Sequence, residues 1–174
     1  GDEVIVFDPS YDSYEPSVEL AGGRCVHVPL ALPGFSIDWQ RLQDALSDKT
    51  RLIILNSPHN PSGALISLAE LDQLAGLIRE RDIYLISDEV YEHLVFDGIQ
   101  HASVLAHDEL YQRAFVVSSF GKTYHVTGWK TGYVVAPPAL SAELRKVHQY
   151  VSFCGVTPLQ WALADYMAEH PEHV

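Results

Sequence analysis

Leu52-Ile53-Ile54-Leu55-Asn56 runs directly into Ser57-Pro58-His59-Asn60-Pro61-Ser62-Gly63, a loop rich in proline and polar residues. The apolar run is continuous rather than alternating, which is typical of a strand that is buried on both faces. The proline and glycine residues that follow it predict the end of the strand and a turn. Strands of this kind belong to parallel sheets covered by helices, so this stretch indicates the fold class.

Most of the other apolar runs are also continuous and rich in valine and isoleucine, and together they predict one sheet. The predicted strands are Val4–Phe7, Cys25–Pro29, Leu52–Asn56, Ile83–Ser87, Ala114–Ser118 and Gly132–Ala136. Helical patterns lie between them. Because strands alternate with helices, the sequence predicts a three-layer α/β fold, with a mostly parallel sheet and helices on both faces.

Capping signals locate several helix boundaries. Ser67-Leu68-Ala69-Glu70 has the pattern of a capping box, in which the Ser and Glu side chains bind free N–H groups of the first turn. Another helix is expected to begin near Asp38. Thr157-Pro158-Leu159-Gln160 predicts a third start, with proline at the first helical position. A helical segment that begins near Tyr14 is expected to stop at Gly22-Gly23.

The composition is that of a globular chain with a strong acidic bias. The 174 residues include 47% hydrophobic and 20% charged residues, and the formal net charge is −12. This charge provides no attraction to nucleic acid or to an anionic membrane, so neither is expected as a partner. Cys25 and Cys154 suggest no disulfide framework, which favours a reducing, cytoplasmic compartment. No apolar run approaches the roughly 20 residues needed to cross a bilayer.

Polar or glycine- and proline-rich residues follow four of the predicted strands directly. In open α/β sheets, ligands bind beyond the carboxyl ends of the strands. We therefore expect four segments that are distant in sequence to converge on one site. The residues expected there are Tyr11, Asn60, Asp88, Tyr91, Ser119 and Lys122.

This set of residues has a chemical logic. A lysine amine forms Schiff bases with aldehydes, and pyridoxal 5′-phosphate (PLP) is an aldehyde cofactor that uses such a lysine. PLP also takes an acidic partner at its ring nitrogen, which keeps that nitrogen protonated. A phenol and an amide can bind the ring oxygen, and a serine just before the lysine can contact the phosphate.

The ordered motifs resemble the large domain of class I and II aminotransferases, which are fold-type-I PLP enzymes. The resemblance covers essentially the whole chain. The version around Lys122 and Gly128-Trp129-Lys130 is most similar to bacterial methionine aminotransferases and the kynurenine aminotransferase group. The matching motifs are Asp8-Pro9-Ser10-Tyr11, His59-Asn60-Pro61-Ser62-Gly63, Ser87-Asp88-Glu89-Val90-Tyr91, Ser118-Ser119-Phe120-Gly121-Lys122-Thr123-Tyr124-His125 and Gly128-Trp129-Lys130-Thr131-Gly132.

The resemblance implies a role for each candidate residue. Lys122 would be the catalytic residue, which binds PLP covalently and then moves the proton between the substrate and the cofactor. Asp88 would pair with the ring nitrogen, and Tyr11 would stack on the ring. Tyr91 and Asn60 would bind the ring oxygen.

Two further residues are implied at the cofactor phosphate, namely Ser119 and Lys130. The commonest family pattern has arginine where Lys130 stands. Lysine retains the positive charge but loses the planar, bidentate guanidinium group, so its contact with phosphate would be that of a point charge.

The resemblance also implies an organisation larger than these 174 residues. Residues 1–174 are expected to form the central part of the PLP-binding large domain. A phosphate-binding segment would precede Gly1, and a small C-terminal domain would follow Val174. The full-length protein is expected to be a homodimer, and the isolated fragment to be inactive. The resemblance further implies that Gly132–Ala136 runs antiparallel to its neighbours.

Three functions remain open at this stage. The first is an aminotransferase that moves an amino group from an amino acid, methionine or an aromatic one, to a 2-oxo acid. The second keeps the same site but eliminates a thiol, as a PLP-dependent carbon–sulfur β-lyase does. The third is non-enzymatic, namely the PLP-sensing domain of a transcription regulator.

Each residue also has a structural explanation when it is taken alone. Lys122 could be a solvated surface residue, Asp88 could cap a helix that begins at Glu89, and Asn60 could belong to an ordinary turn. These explanations become less convincing for the set as a whole, because residues suited to one cofactor site would have to follow four separate strands by chance.

The histidines raise the alternative of a metal site. His93, His101 and His107 lie in a loop-like stretch without tight ligand spacing, and no Cys-x-x-Cys or His-Glu-x-x-His pattern occurs. We therefore expect no metal. His125 lies close to the lysine motif and could be a packing residue.

Overall fold

The computed structural model describes residues 1–174, which form a single six-stranded sheet with helices. All six predicted strands are present, with bounds that differ from the prediction by at most two residues at either end. Their ranges are β1 (Glu3–Asp8), β2 (Arg24–Pro29), β3 (Thr50–Asn56), β4 (Tyr84–Asp88), β5 (Ala114–Ser119) and β6 (Gly132–Val135).

Seven α-helices connect or follow these strands. Short 3₁₀ turns cover Val104–Ala106, Thr127–Trp129 and Pro171–His173. None of the helices combines the length and the apolar character needed to cross a membrane. The helices are α1 (Tyr14–Leu20), α2 (Trp39–Ala45), α3 (Leu68–Ile78), α4 (Asp108–Tyr111), α5 (Phe120–Thr123), α6 (Pro138–Val151) and α7 (Thr157–Glu169).

The strand order is β2-β1-β3-β4-β5-β6, and every neighbouring pair from β2 to β5 is parallel. The last pair, β5 with β6, is antiparallel. The mostly parallel sheet and the antiparallel final strand are both confirmed. Because β3 and β4 are parallel and in register, their last residues, Asn56 and Asp88, are paired at the same edge of the sheet.

Alternate side chains of the strands are buried on opposite faces of the sheet. Ile53 and Leu55 of β3 belong to the main core, which also contains Leu42 of α2 and Leu74 of α3. Ile54 belongs to a smaller cluster on the other face, where α1 packs. Helices therefore cover both faces, as predicted, although the α1 face carries much less of the core.

Two helix starts agree with the capping signals. Ser67 and Glu70 form the predicted capping box: the Glu70 N–H donates to Ser67 Oγ over 3.3 Å, and the Ser67 N–H donates to Glu70 Oε2 over 2.8 Å. Asp38 caps α2 by accepting a hydrogen bond from the Arg41 N–H at 3.1 Å. Both carboxylates also lie at the positive end of a helix dipole.

The prediction that Pro158 takes the first helical position of α7 is wrong. Thr157 is the first helical residue, Val156 is the N-cap, and no side chain caps this end. Pro158 consequently occupies the second helical position, which its fixed φ and missing N–H also allow. Helix α6 was missed in the sequence, although Pro138 stands at its first position and apolar residues recur at helical spacing, namely Leu140, Leu144 and Val147.

Candidate active site

A cavity of about 280 Å³ lies at the carboxyl edge of the sheet, beyond the ends of β1, β3, β4 and β5. This volume is close to the lower end of the range for small-ligand sites, about 300–1,000 Å³. Six of the seven residues predicted for the site line it, and Lys130 is the exception. The full lining is Tyr11, Tyr14, Asn56, Asn60, Asp88, Val90, Tyr91, Val117, Ser118, Ser119 and Lys122.

The side-chain amide of Asn56 connects the strand ends on one side of the cavity. Its Nδ2 donates to the backbone carbonyl of Asp88 over 3.0 Å. Its Oδ1 accepts a hydrogen bond from the Asn60 N–H at 2.7 Å. Asn56 therefore holds the Asn60 loop against the end of β4. The sequence prediction omitted Asn56 from the site, although Asn56 is the last residue of the predicted strand Leu52–Asn56.

The Asp88 carboxylate is held from two directions. The Tyr14 hydroxyl donates to Asp88 Oδ2 over 2.6 Å, and the Val90 N–H donates to Oδ1 over 3.2 Å. No helix begins at Glu89, because the chain continues into a turn. The interpretation of Asp88 as a helix cap is therefore wrong, and its carboxylate is available at the cavity wall.

Tyr14 is a site residue that the sequence prediction missed. Burial, the negative charge of Asp88 and the hydrogen bond to Asp88 together raise the pKa of Tyr14 well above its usual value. The phenol therefore stays protonated and remains a donor to Asp88. Its ring also packs edge-to-face on Tyr11, with ring centroids 5.6 Å apart. The only signal in the sequence was a second tyrosine three residues after Tyr11.

Lys122 lies in the short helix α5, directly after β5. Ser119 caps this helix, since its Oγ accepts a hydrogen bond from the Gly121 N–H at 3.0 Å. A side chain at Gly121 would bring a Cβ atom within 3.0 Å of the Thr127 backbone, so glycine allows this tight turn. Lys122 Nζ lies 5.7 Å from the centroid of the Tyr91 ring, within the range of a cation–π contact.

Lys130 is not brought to the cavity. It follows the 3₁₀ turn Thr127–Trp129 in a left-handed conformation with φ of 51°. Its side chain makes no hydrogen bond or ion pair. The prediction that Lys130 contacts a cofactor phosphate therefore stays a prediction, without support from the cavity lining.

A buried carboxylate lies next to Asp88 in the sequence. Glu89 is only 1% exposed, and its carboxylate accepts hydrogen bonds from Ser87 Oγ at 2.8 Å, the Val104 N–H at 3.0 Å and His101 Nε2 at 2.7 Å. Burial alone would raise the pKa of Glu89, but these hydrogen bonds lower it below its usual value. The network fixes the chain just after Asp88.

The three histidines considered as metal ligands have separate partners. His101 binds Glu89, as described above. His107 caps α4 and lies 3.1 Å from an Asp72 carboxylate oxygen, whereas His93 Nε2 is 3.9 Å from Glu92 Oε1. His125 lines a different cavity beneath α7 and packs edge-to-face on the His173 ring.

Glu89→Gln is expected to lower the free energy of unfolding by about 1–3 kcal/mol, because buried donors lose their charged acceptor. The pKa of Glu89 is lower in the folded state. Its contribution is therefore complete above the pKa of the unfolded chain and is lost as the pH falls through the folded-state value. Urea unfolding of the whole protein, from neutral to acidic pH, measures both effects. Equal stabilities for variant and wild type at neutral pH would contradict this role.

The fold and this edge define an α/β domain with a lysine, a carboxylate held by hydrogen bonds and two tyrosines packed edge-to-face around one cavity. The sequence matches the family Aminotransferase class I and II over residues 1–173, so the chain belongs to that family. Members of this family depend on PLP, which confirms the predicted cofactor at the level of the family.

Individual proteins show the same relationship. The chain is 56% identical to a methionine aminotransferase of Escherichia coli over 173 residues, which are 99% of this chain and 45% of that protein. It is 38% identical to kynurenine–oxoglutarate transaminase 1 of Mus musculus, covering 99% of this chain and 43% of that one.

A solved structure also matches the fold closely. The crystal structure of YbdL from Escherichia coli, described as having a methionine aminotransferase function, superposes with a TM-score of 0.96 at 56% identity. The match covers 99% of this chain and 46% of that one. The chain thus spans a little under half the length of the relatives it matches.

Proposed function

We propose that the protein containing this chain is a PLP-dependent aminotransferase. The observation that carries the proposal is the convergence of Lys122, Asp88 and Asn60 on one cavity from three separate strand ends. Membership of the aminotransferase family supports the same activity. Residues 1–174 would form the central part of the PLP-binding domain.

The residues around the cavity fit this cofactor in their chemistry. When bound, PLP supplies an electron sink for charge that develops on the substrate. Asp88, oriented by Tyr14, would hold a proton on the ring nitrogen through its negative charge. The Lys122 amine would bind the cofactor aldehyde and then carry a proton to and from the substrate. Tyr11 would present an aromatic face to the ring.

The remaining contacts follow from hydrogen-bonding capacity. The Asn60 amide and the Tyr91 hydroxyl are donors at the cavity wall, and both are suited to the ring oxygen. Ser119 and Lys130 would bind the phosphate. Ser119 Oγ accepts a hydrogen bond from the Gly121 N–H and donates its own proton to the Thr131 carbonyl over a long distance of 3.4 Å. When a phosphate is bound, the Ser119 hydroxyl could donate that proton to a phosphate oxygen instead.

The substrates are proposed from the relatives. We infer that the amino donor is methionine or an aromatic amino acid and that the acceptor is a 2-oxo acid, since the 56% identical relative is a methionine aminotransferase. A homodimer and a cytoplasmic location are part of the same proposal. The free cysteines Cys25 and Cys154 are consistent with a reducing compartment.

An amino-donor screen on the whole protein tests this function. With methionine and a 2-oxo acid present, an aminotransferase forms the 2-oxo acid of methionine together with the new amino acid. A β-lyase would release pyruvate and ammonia from a thioether-bearing substrate without any acceptor. A PLP-sensing domain would bind PLP but give neither product, and either of these results would overturn the proposal.

Tyr14→Phe is expected to weaken PLP binding by about 10- to 100-fold, because Asp88 loses a hydrogen bond of the charge-assisted kind, worth about 1.5–3 kcal/mol. The dissociation constant from an absorbance titration of the apoprotein measures the effect. Tyr150→Phe is a matched control, since Tyr150 is 86% exposed and is not one of the residues that line the cavity. Unchanged PLP affinity in Tyr14→Phe would show that the contact with Asp88 has no role in binding.

A further inference from the structure

His27 of β2 lies between two carboxylates outside the cavity. Its Nδ1 is 3.1 Å from Asp8 Oδ1 and 3.0 Å from Asp8 Oδ2, and its Nε2 is 3.3 Å from Glu15 Oε1. Carboxylates accept hydrogen bonds and do not donate them. A neutral imidazole has one N–H, so only the doubly protonated ring can donate to both carboxylates. The geometry therefore selects the charged form of His27.

The two carboxylates flank the segment that carries the tyrosines of the cavity. Asp8 is the last residue of β1, and Glu15 lies in the first turn of α1. Tyr11 and Tyr14 lie between them and line the cavity. Asp8 is already fixed by its pairing with β2, so the contact that adds a constraint is the one from His27 to Glu15. Glu15 is the immediate neighbour of Tyr14.

No cation other than His27 contacts this pair of carboxylates. The groups that face His27 are Asp8 from β1 and Glu15 from α1. Helix α2 packs on the opposite face of the sheet and presents no charge to His27. Glu19 also carries a carboxylate on α1, but it makes no hydrogen bond or ion pair with His27.

We propose that His27 is a positioning residue whose imidazolium holds α1 against β2 and thereby keeps Tyr14 on Asp88. The inference rests on the proposed function, because it takes Asp88 as the partner of the cofactor nitrogen. The hydrogen bond to Asp8 raises the pKa of His27, partly offset by burial, with a further contribution from Glu15. That direction agrees with the charged form that the two contacts require.

The direction of the pH dependence follows from these contacts. A raised pKa means that the link is complete in acid and is lost as the pH rises through the folded-state value. A neutral ring can donate to only one carboxylate, so the α1 contact weakens and the two carboxylates repel each other. The His27 side chain is 37% exposed and that of Glu15 is 51% exposed, so solvent screens the interaction and the effect is modest.

The test uses the whole protein and its PLP dissociation constant at pH about 6 and about 9, on either side of the histidine range. The variants differ from the wild type only near His27, so the ratio of variant to wild type at each pH isolates the contribution of His27. We expect His27→Gln to weaken binding about two- to fivefold at the lower pH and to leave it unchanged at the higher pH, as for a partly exposed ion pair. Glu15→Gln should reproduce this pattern.

Glu19→Gln is the matched control, because Glu19 lies on the same helix but does not contact His27. A constant ratio of His27→Gln to wild type at both pH values would overturn the inference, as would the same pattern in Glu19→Gln. Nitrogen NMR of the His27 ring gives a readout that does not need PLP. We expect the doubly protonated ring to persist to a higher pH than in an unpaired histidine, and the pKa of His27 to fall in Glu15→Gln.

Failure of the two proposals can be told apart. If the wild-type protein binds no PLP at either pH, the proposed function fails, while the NMR titration still tests the charged His27 clamp. If PLP binds but the NMR shows that the His27 ring loses its second proton at no higher pH than an unpaired histidine, the inference about His27 fails and the proposed function stands.

Discussion

Lys122→Ala in the whole protein is expected to remove the covalent link to PLP and the proton-transfer group in one step. General acid–base transfer alone is worth about 10²–10⁴-fold, so we expect turnover to fall by at least that factor. PLP should still bind noncovalently, because Asp88, Asn60 and Tyr11 remain at the cavity. Visible absorbance reports the lysine-bound cofactor, and steady-state kinetics report the rate.

Lys146→Ala is the control for the loss of one lysine charge. Lys146 lies on α6, is exposed, and pairs only with Glu143 of the same helix. This variant should keep the absorbance and turnover of the wild type. Wild-type turnover in Lys122→Ala would remove Lys122 from the catalytic role and, with it, the interpretation of the cavity.

Asp88→Ala is expected to show a different pattern, in which PLP remains attached to Lys122 but turnover falls. Without the carboxylate, the ring nitrogen loses the charge that keeps it protonated. Removal of one group that stabilises developing charge costs about 10²–10³-fold in other enzymes. The absorbance of the lysine-bound cofactor and kcat should therefore separate, whereas both are lost together in Lys122→Ala.

Asp44→Asn is a matched control for this second prediction. Asp44 lies on α2, where its carboxylate accepts a hydrogen bond from Gln40 on the surface. It should behave as the wild type in both measurements. Wild-type turnover in Asp88→Ala would contradict the assignment of Asp88 as the partner of the cofactor nitrogen.

The sheet was largely predictable because each strand shows its own apolar pattern in a short stretch of sequence. Buried parallel strands need continuous apolar runs, and Ile53, Ile54 and Leu55 show this directly in the sequence. The direction of β6 could not be predicted in this way, since a run of apolar residues does not encode whether a strand is parallel or antiparallel. That direction came from the resemblance to a family. The α6 helix was missed although its apolar residues recur at helical spacing after Pro138.

The sequence predicted only those site residues that directly follow a strand. Asn60, Asp88 and Lys122 follow strands, and parallel strands bring such residues to one edge. Tyr14 reaches Asp88 across 74 residues of sequence through the packing of α1, and nothing local in the sequence encodes that distance. The role of Lys130 at the phosphate stays a prediction, because its position in a motif does not fix where its side chain lies after a left-handed residue.

The most direct test of the central claim is the location of the covalent cofactor. The whole protein would be incubated with PLP, reduced with borohydride, digested and analysed by mass spectrometry. We predict a reduced PLP adduct on the peptide that contains Lys122 and on no other lysine. An adduct on Lys130 or Lys146 instead, or no adduct on any lysine, would contradict the assignment of this cavity as the PLP site.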